Sequence, residues 1–166
     1  MLLSWPKSMG FDNIRGSTFD QPVEIRDILP TFLDAAGEPV PASLDGRSLL
    51  NLVRGKKDDW RPFIDIEHSA CYAKLTDYHA LVNNEHKYIY HACSGREQLF
   101  DLKNDPGELH NLADNPDSQK LLRQWRNRLV KHLAERGKPF VDGDKLLIRK
   151  SSMLYGPNYP GSTGQG

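Results

Sequence analysis

Six histidines, His68, His79, His86, His91, His110 and His132, are the side chains of this sequence best suited to proton transfer or metal binding. Four of them fall between positions 68 and 91, which raises a metal centre as one reading. A zinc site needs fixed spacing, such as H-x-x-x-H along one helix with a carboxylate or thiolate as third ligand. The gaps here are irregular and fall on separate strand and loop pieces, so scattered histidines explain them better than a closed zinc site. Glu67-His68 stands apart because it closes the alternating stretch Phe63-Ile64-Asp65-Ile66-Glu67. A strand end that opens into a loop is where polar groups converge on a ligand. There His68 can donate to an anionic oxygen or act as an acid; a half-exposed histidine without a role is the equal alternative. Cys71 and Cys93 lie at no recognisable elbow or helix start, where a thiol pKa falls, and read as structural. Two cysteines allow one bridge or two thiols and leave the compartment open.

The remaining charged clusters read as scaffold. Lys56-Lys57-Asp58-Asp59 is a solvated turn, and Arg123, Arg126, Arg128, Lys131 and Arg136 form the solvated face of a helix. Asp105-Pro106-Gly107-Glu108, with Asn111-Leu112 behind it, is the most distinctive loop. Its Asp and Asn side chains can hold a turn by accepting from nearby backbone N–H groups, and Glu108 can do the same or pair with a base.

Stepping from these residues to what must position them, 166 residues suit one modest domain with a real core, burying roughly 70% of its unfolded surface. Lys plus Arg and Asp plus Glu are both 22. No global positive field draws the chain to nucleic acid or to anionic lipid. No apolar run approaches the about 20 residues of a bilayer span, and Met1 to Pro6 lacks the basic start and cleavage site of a secretory signal. Leu2 to Trp5 reads as a short buried strand stopped by Pro6. Ile25, Ile28, Leu29, Phe32, Leu33 and Ala36 recur at helical spacing. They predict a helix over 27–36, with Asp27 as N-cap, Pro30 harmless in the first turn and Gly37 as the stop. A short helix follows at 48–53, then strands at 63–67, 78–82, 88–90 and 98–102. Ser94-Gly95-Arg96 turns between the last two, which makes them antiparallel neighbours. Leu121, Leu122, Trp125, Leu129 and Leu133 stripe a long helix over 118–136, begun by Asn115-Pro116 and ended by Gly137. Residues 151–166, rich in Gly, Pro and Ser, predict a flexible tail. The opening strand and helix do not pattern with the later antiparallel strands. They look like the last pieces of a larger sheet, so the chain is expected to be the C-terminal part of something longer or to pair with another chain.

Several stretches, in this order, resemble the C-terminal part of the sulfatase family. Leu2-Leu3-Ser4-Trp5-Pro6 is similar to the strand after that family's central active-site segments. Residues 23–37 resemble its D-x-x-P-T-x-x-x-x-x-G helix through Asp27, Pro30, Thr31 and Gly37. Leu44-Asp45-Gly46-Arg47-Ser48-Leu49 resembles its D-G-x-S-L turn, and His86-Lys87-Tyr88-Ile89-Tyr90 its K-Y-I strand. Glu97-Gln98-Leu99-Phe100-Asp101-Leu102, then Asp105-Pro106-Gly107-Glu108 and Asn111-Leu112-Ala113, resemble its most specific C-terminal signature.

The resemblance implies an α/β, alkaline-phosphatase-like fold. Residues 1–45 would end the large catalytic domain, and 46–150 would form a smaller domain, a roughly four-stranded antiparallel sheet packed by a long C-terminal helix. It implies an arylsulfatase-type hydrolysis of sulfate esters in which a formylglycine attacks sulfur beside a calcium or magnesium ion. The C/S-x-P-S-R segment that yields formylglycine is not in this sequence; Cys93-Ser94-Gly95-Arg96 lacks its proline. The acidic metal segments are likewise absent, so no catalytic or metal-binding residue is carried over. The chain alone is expected to be inactive and to need association with an N-terminal part, and residues 1–36 in isolation to be poorly soluble. Glu67-His68 is similar to a G-E-H stretch of some arylsulfatases, with Ile66 in place of glycine, and makes His68 a candidate contact for the substrate or leaving group. A phosphodiesterase or phosphonate hydrolase of the same superfamily and a non-catalytic binding module are the alternatives.

Overall fold

A computed structural model describes residues 1–69 and 76–150. Its chain gathers into two compact units, Met1–Ile64 and Asp65–Gly166.

In the first unit, a 3₁₀ turn at Ile25–Asp27 runs into α1, Ile28–Ala36, and α2 follows at Leu50–Val53. Gly37 ends α1 in the left-handed region at φ 78°, where its N–H returns to Asp34 and the next N–H to Leu33. Pro30 lies in the first turn of α1, where its missing N–H costs little.

One expectation fails here and another holds in position only. Residues 2–5 form no strand: Leu2 is 95% exposed and no sheet of the described residues includes this segment. A strand is defined by its neighbour, and an apolar run without one has no ladder to join. Asp27 does hold the N-cap position of α1, but its side chain makes no capping bond there. Glu24 caps the preceding 3₁₀ turn, in a reciprocal capping box with Asp27. The fully buried Asp27 carboxylate accepts the Glu24 and Arg47 N–H groups at 2.9 and 2.8 Å and both arms of the Arg61 guanidinium at 2.8 and 2.6 Å. Burial alone would raise its pKa; Arg61 and the two N–H groups outweigh that and hold the carboxyl below its ordinary value.

The same helix face continues the ladder. Thr31 Oγ1 donates to the Asp27 carbonyl at 2.6 Å and accepts the Leu49 N–H at 2.9 Å. Asp34 takes both arms of Arg54 at 2.6 and 2.9 Å and the Ser48 hydroxyl at 2.5 Å. Arg54 holds the Asp34 carboxyl below its ordinary value against burial, with Ser48 assisting. Asp27, Thr31 and Asp34, spaced as one helix face, therefore clamp the D-G-x-S-L turn onto α1. Gly46 is obligatory in that clamp, because a Cβ there would stand 1.8 Å from the Arg26 carbonyl oxygen. Gly46→Ala should lower stability by roughly 3 kcal/mol, read from urea unfolding of the full chain, since backbone rather than a pliant side chain must yield.

The second unit holds the four-stranded sheet: β1, Ile64–His68; β2, Tyr78–Val82; β3, His86–His91; β4, Glu97–Asp101. The strands neighbour one another in chain order, and β2–β3 and β3–β4 are antiparallel. Register sets Leu81, Tyr88 and Leu99 in one row, all fully buried. The long helix α3, Gln119–Leu133, covers the sheet with Leu122, Trp125, Leu129 and Leu133. Asn115 caps the Pro116–Ser118 turn ahead of α3 through the Asp117 N–H. A small hairpin follows, β5, Val141–Asp142, with β6, Lys145–Leu146.

The 104–116 loop is a brace, as its composition predicts. Asn111 Oδ1 accepts the Leu99 and Ala113 N–H groups, Asp105 accepts the His110 N–H, and Glu108 pairs with Lys87 at 2.9 Å. Arg123, Arg128 and Lys131 are exposed, as expected of a solvated face, but Arg126 and, in the turn after α3, Arg136 are held by carboxylates. Arg126 grips Glu97 with two bonds of 2.7 and 2.5 Å, Arg136 reaches Glu67 at 2.5 Å, and Arg128 lies over Trp125. Cys71 and the 151–166 tail lie outside the described residues.

Candidate functional site at the end of β1

The pleat of β1 sends Glu67 and His68 to opposite faces of the sheet. His68 is half-buried, its ring stacked on Tyr78 at 5.2 Å and 20°. Tyr78 in turn meets its cross-strand partner His91 at 6.1 Å. His91 Nε2 lies 2.7 Å from Gln98 Oε1 and 3.1 Å from Arg96. Among the described residues no hydrogen bond reaches either ring nitrogen of His68.

On the other face, Glu67, its side chain 39% exposed, begins a polar chain whose other members His79, Arg149 and Asp77 are buried. His79 Nδ1 faces Glu67 Oε1 at 3.5 Å, longer than a hydrogen bond of good geometry. Arg149 Nη1 lies 3.2 Å from His79 Nε2 and Arg149 Nη2 3.1 Å from Asp77 Oδ2. A guanidinium only donates, so His79 Nε2 must accept and the ring proton sits on Nδ1, toward Glu67. His79, with Arg136 assisting, holds the Glu67 carboxyl below its ordinary value against burial. The Phe140 ring closes the group, 4.9 Å from Arg149 and 5.4 Å from His79. Sequence reasoning missed this chain, because its members come from β1, β2, the end of α3 and the segment after β6.

These groups can bind, orient and exchange a proton. Cys93 is a free, half-buried thiol with no base beside it in any bond or ion pair of the described residues. The other histidines are apart: His86 leans on Trp125, His110 faces Asp105 at 3.4 Å, and His132 faces Asp65 at 3.7 Å. Among the described residues no three His, Cys, Asp or Glu side chains are grouped to hold a metal ion. The buried carboxylates do not fit one either, since Asp27 and Asp77 face guanidinium groups. A hard cation needs several free oxygens at one point.

Residues 1–135 match the family model described as N-sulphoglucosamine sulphohydrolase, C-terminal. The chain belongs to the sulfatase family. An arylsulfatase of Clostridium perfringens is 37% identical over 133 residues, covering 80% of this chain and 27% of that protein. The structure of a 2-O GAG sulfatase superposes with a TM-score of 0.60 at 33% identity, over 68% of this chain and 25% of that one. A multifunctional alkaline phosphatase superfamily protein, PehA, of Trinickia caryophylli is 33% identical over 117 residues, 63% of this chain and 23% of its own. This sulfatase chain thus spans about a quarter of the length of the relatives it matches. The sheet packed by α3 is the C-terminal portion of the family's alkaline-phosphatase-like α/β fold. Sulfatases of this family work with a formylglycine and a divalent metal, and the described residues present no site for the metal. No helix among them is long and apolar enough to cross a membrane.

Proposed function

We propose that this chain is the C-terminal part of an enzyme that hydrolyses sulfate esters, releasing sulfate and an alcohol or phenol. Residues 1–45 belong with its large α/β domain and 46–150 with the smaller one, and the bonds from Arg47 and Arg61 to Asp27 and from Ser48, Leu49 and Arg54 to α1 tie across that division. The nucleophile and the calcium or magnesium ion come from the N-terminal part, which makes the chain inactive alone. His68 walls the pocket and contacts the substrate or its leaving group. The observation that carries the reading is the unbroken family match over residues 1–135, which spans α1, the sheet and α3.

The test is a chimera in which this chain replaces the matching segment of the Clostridium perfringens arylsulfatase. The chimera should hydrolyse p-nitrophenyl sulfate, and this chain by itself should not. His68→Ala in the chimera should lower kcat/KM on the order of a hundredfold, with circular dichroism unchanged, if the imidazole gives a proton to the leaving group. Unchanged kinetics would remove His68 from the mechanism. The likeness to PehA favours one second reading, a phosphate or phosphonate ester hydrolase. Faster turnover of a phenylphosphonate monoester than of the sulfate would establish it.

A further inference from the structure

α1 is turned inside out. A surface helix ordinarily points its apolar stripe at the core and its polar residues at water. Here the inner face is the polar one. Asp27 and Thr31 are buried, and Asp34, the one charged side chain of α1, is held by Arg54 and Ser48. On the opposite face Ile25, Ile28, Leu29, Phe32 and Ala36 follow at steps of three and four and are all exposed, Ile25 by 80%, Leu29 by 54% and Phe32 by 67%. Exposed apolar side chains are ordinary one at a time; an unbroken stripe of them marks an interaction surface. The helix cannot roll over to hide it, because that would break the bonds to the Asp27 carboxylate and to Thr31 Oγ1.

Size and family decide what covers the stripe. α1 has nine residues, and a helix of that length is only about 14 Å long. Five side chains on it, paired with the same five of a second copy, fall short of the about 800 Å² per partner of a stable interface. A larger partner is required. The C-terminal family match takes in all of α1, and this chain covers only 27% and 25% of two relatives it matches. We propose that the outward stripe of α1 docks into an apolar, uncharged seat on the N-terminal part of the enzyme, so that α1 joins the two parts with one face on each. The inner, polar face holds the D-G-x-S-L turn; the outer face buries its stripe against the catalytic part, where an opposing charge would be stranded. This rests on reading the chain as the C-terminal part of a longer enzyme, and not on which ester that enzyme cleaves.

Leu29→Glu and Phe32→Lys, made both in the full chain by itself and in the chimera with the Clostridium perfringens arylsulfatase, test it. In the chain by itself both positions face water, so the urea midpoint should not move. Binding of the dye ANS, which reports exposed apolar surface, should fall. In the chimera each substitution should lower the thermal midpoint by roughly 5 °C or prevent folding, whereas Leu29→Met and Phe32→Leu should stay close to the parent chimera. The two charged variants differ in sign, so a loss common to both comes from burial of the stripe and not from one unfavourable neighbour. Unchanged thermal midpoints in the charged chimeras would overturn the proposal. So would an equal loss of stability in the chain by itself, since the stripe would then be covered from within. A dimer of the chain in sedimentation that Phe32→Lys dissolves, with the chimera unaffected, would overturn it in favour of a second copy. Thermal midpoints are read without turnover: a chimera that folds, shows these shifts and leaves p-nitrophenyl sulfate intact would sink the sulfate-ester reading and leave the docking in place.

Discussion

Asp27→Ala should cost the fold about 4 kcal/mol, seen as a lower urea midpoint. The carboxylate it removes is fully buried and accepts from both arms of the Arg61 guanidinium, which is itself just 10% exposed and otherwise faces Glu24 at 3.1 Å. Alanine would leave that guanidinium charged, shielded from water and without its two shortest bonds. It would also strand the Glu24 and Arg47 N–H groups. Asp27→Asn keeps the shape and some acceptor capacity and should cost less. The pH dependence carries the same signature. The folded-state pKa of Asp27 lies below its ordinary 3.8. Its contribution is therefore complete above that value and lost as pH falls through the lower, folded-state one. Urea midpoints of the wild type should fall below about pH 4, and more steeply than those of Asp27→Asn.

Trp125→Ala should cost about 4 kcal/mol as well, by a different route. The indole is fully buried on α3, with His86 at 6.0 Å and the Arg128 guanidinium over its ring at 4.7 Å. Its removal opens a cavity between helix and sheet that neither element can close without losing its other contacts. The Nε1 atom is buried and without a hydrogen-bond partner among the described residues. Trp125→Phe deletes that unbonded N–H and keeps an aromatic ring, so it should cost only about 1 kcal/mol. Equal losses for alanine and phenylalanine would show that the nitrogen, not the volume, matters there.

What could be read from the sequence was whatever a local rule determines. The leucines of α3 and Trp125 recur at helical spacing, and Asn115-Pro116 and Gly137 mark its ends, so its extent was legible to within a few residues. Tyr78–Val82 was legible in full, because turn residues bound a β-branched and aromatic run. Leu2 to Trp5 misled for the opposite reason: an apolar run says that burial is wanted, and only a partner makes it a strand. Asp27 sits where a cap belongs, yet its acceptors serve Arg47 and Arg61, 20 and 34 positions away. His68 was found from its place at a strand end, but the ring beneath it, Tyr78, belongs to the next strand.

The meander has a kinetic corollary. Because each strand lies beside the one made just before it, sheet formation closes only short loops and can begin on the ribosome while α3 is still unsynthesised. Arg149 is the exception: it meets Asp77 and His79 across 72 and 70 positions. Its docking is the long-range closure that must wait for the rest, and hydrogen exchange during refolding should find the amides around Arg149 the last to gain protection.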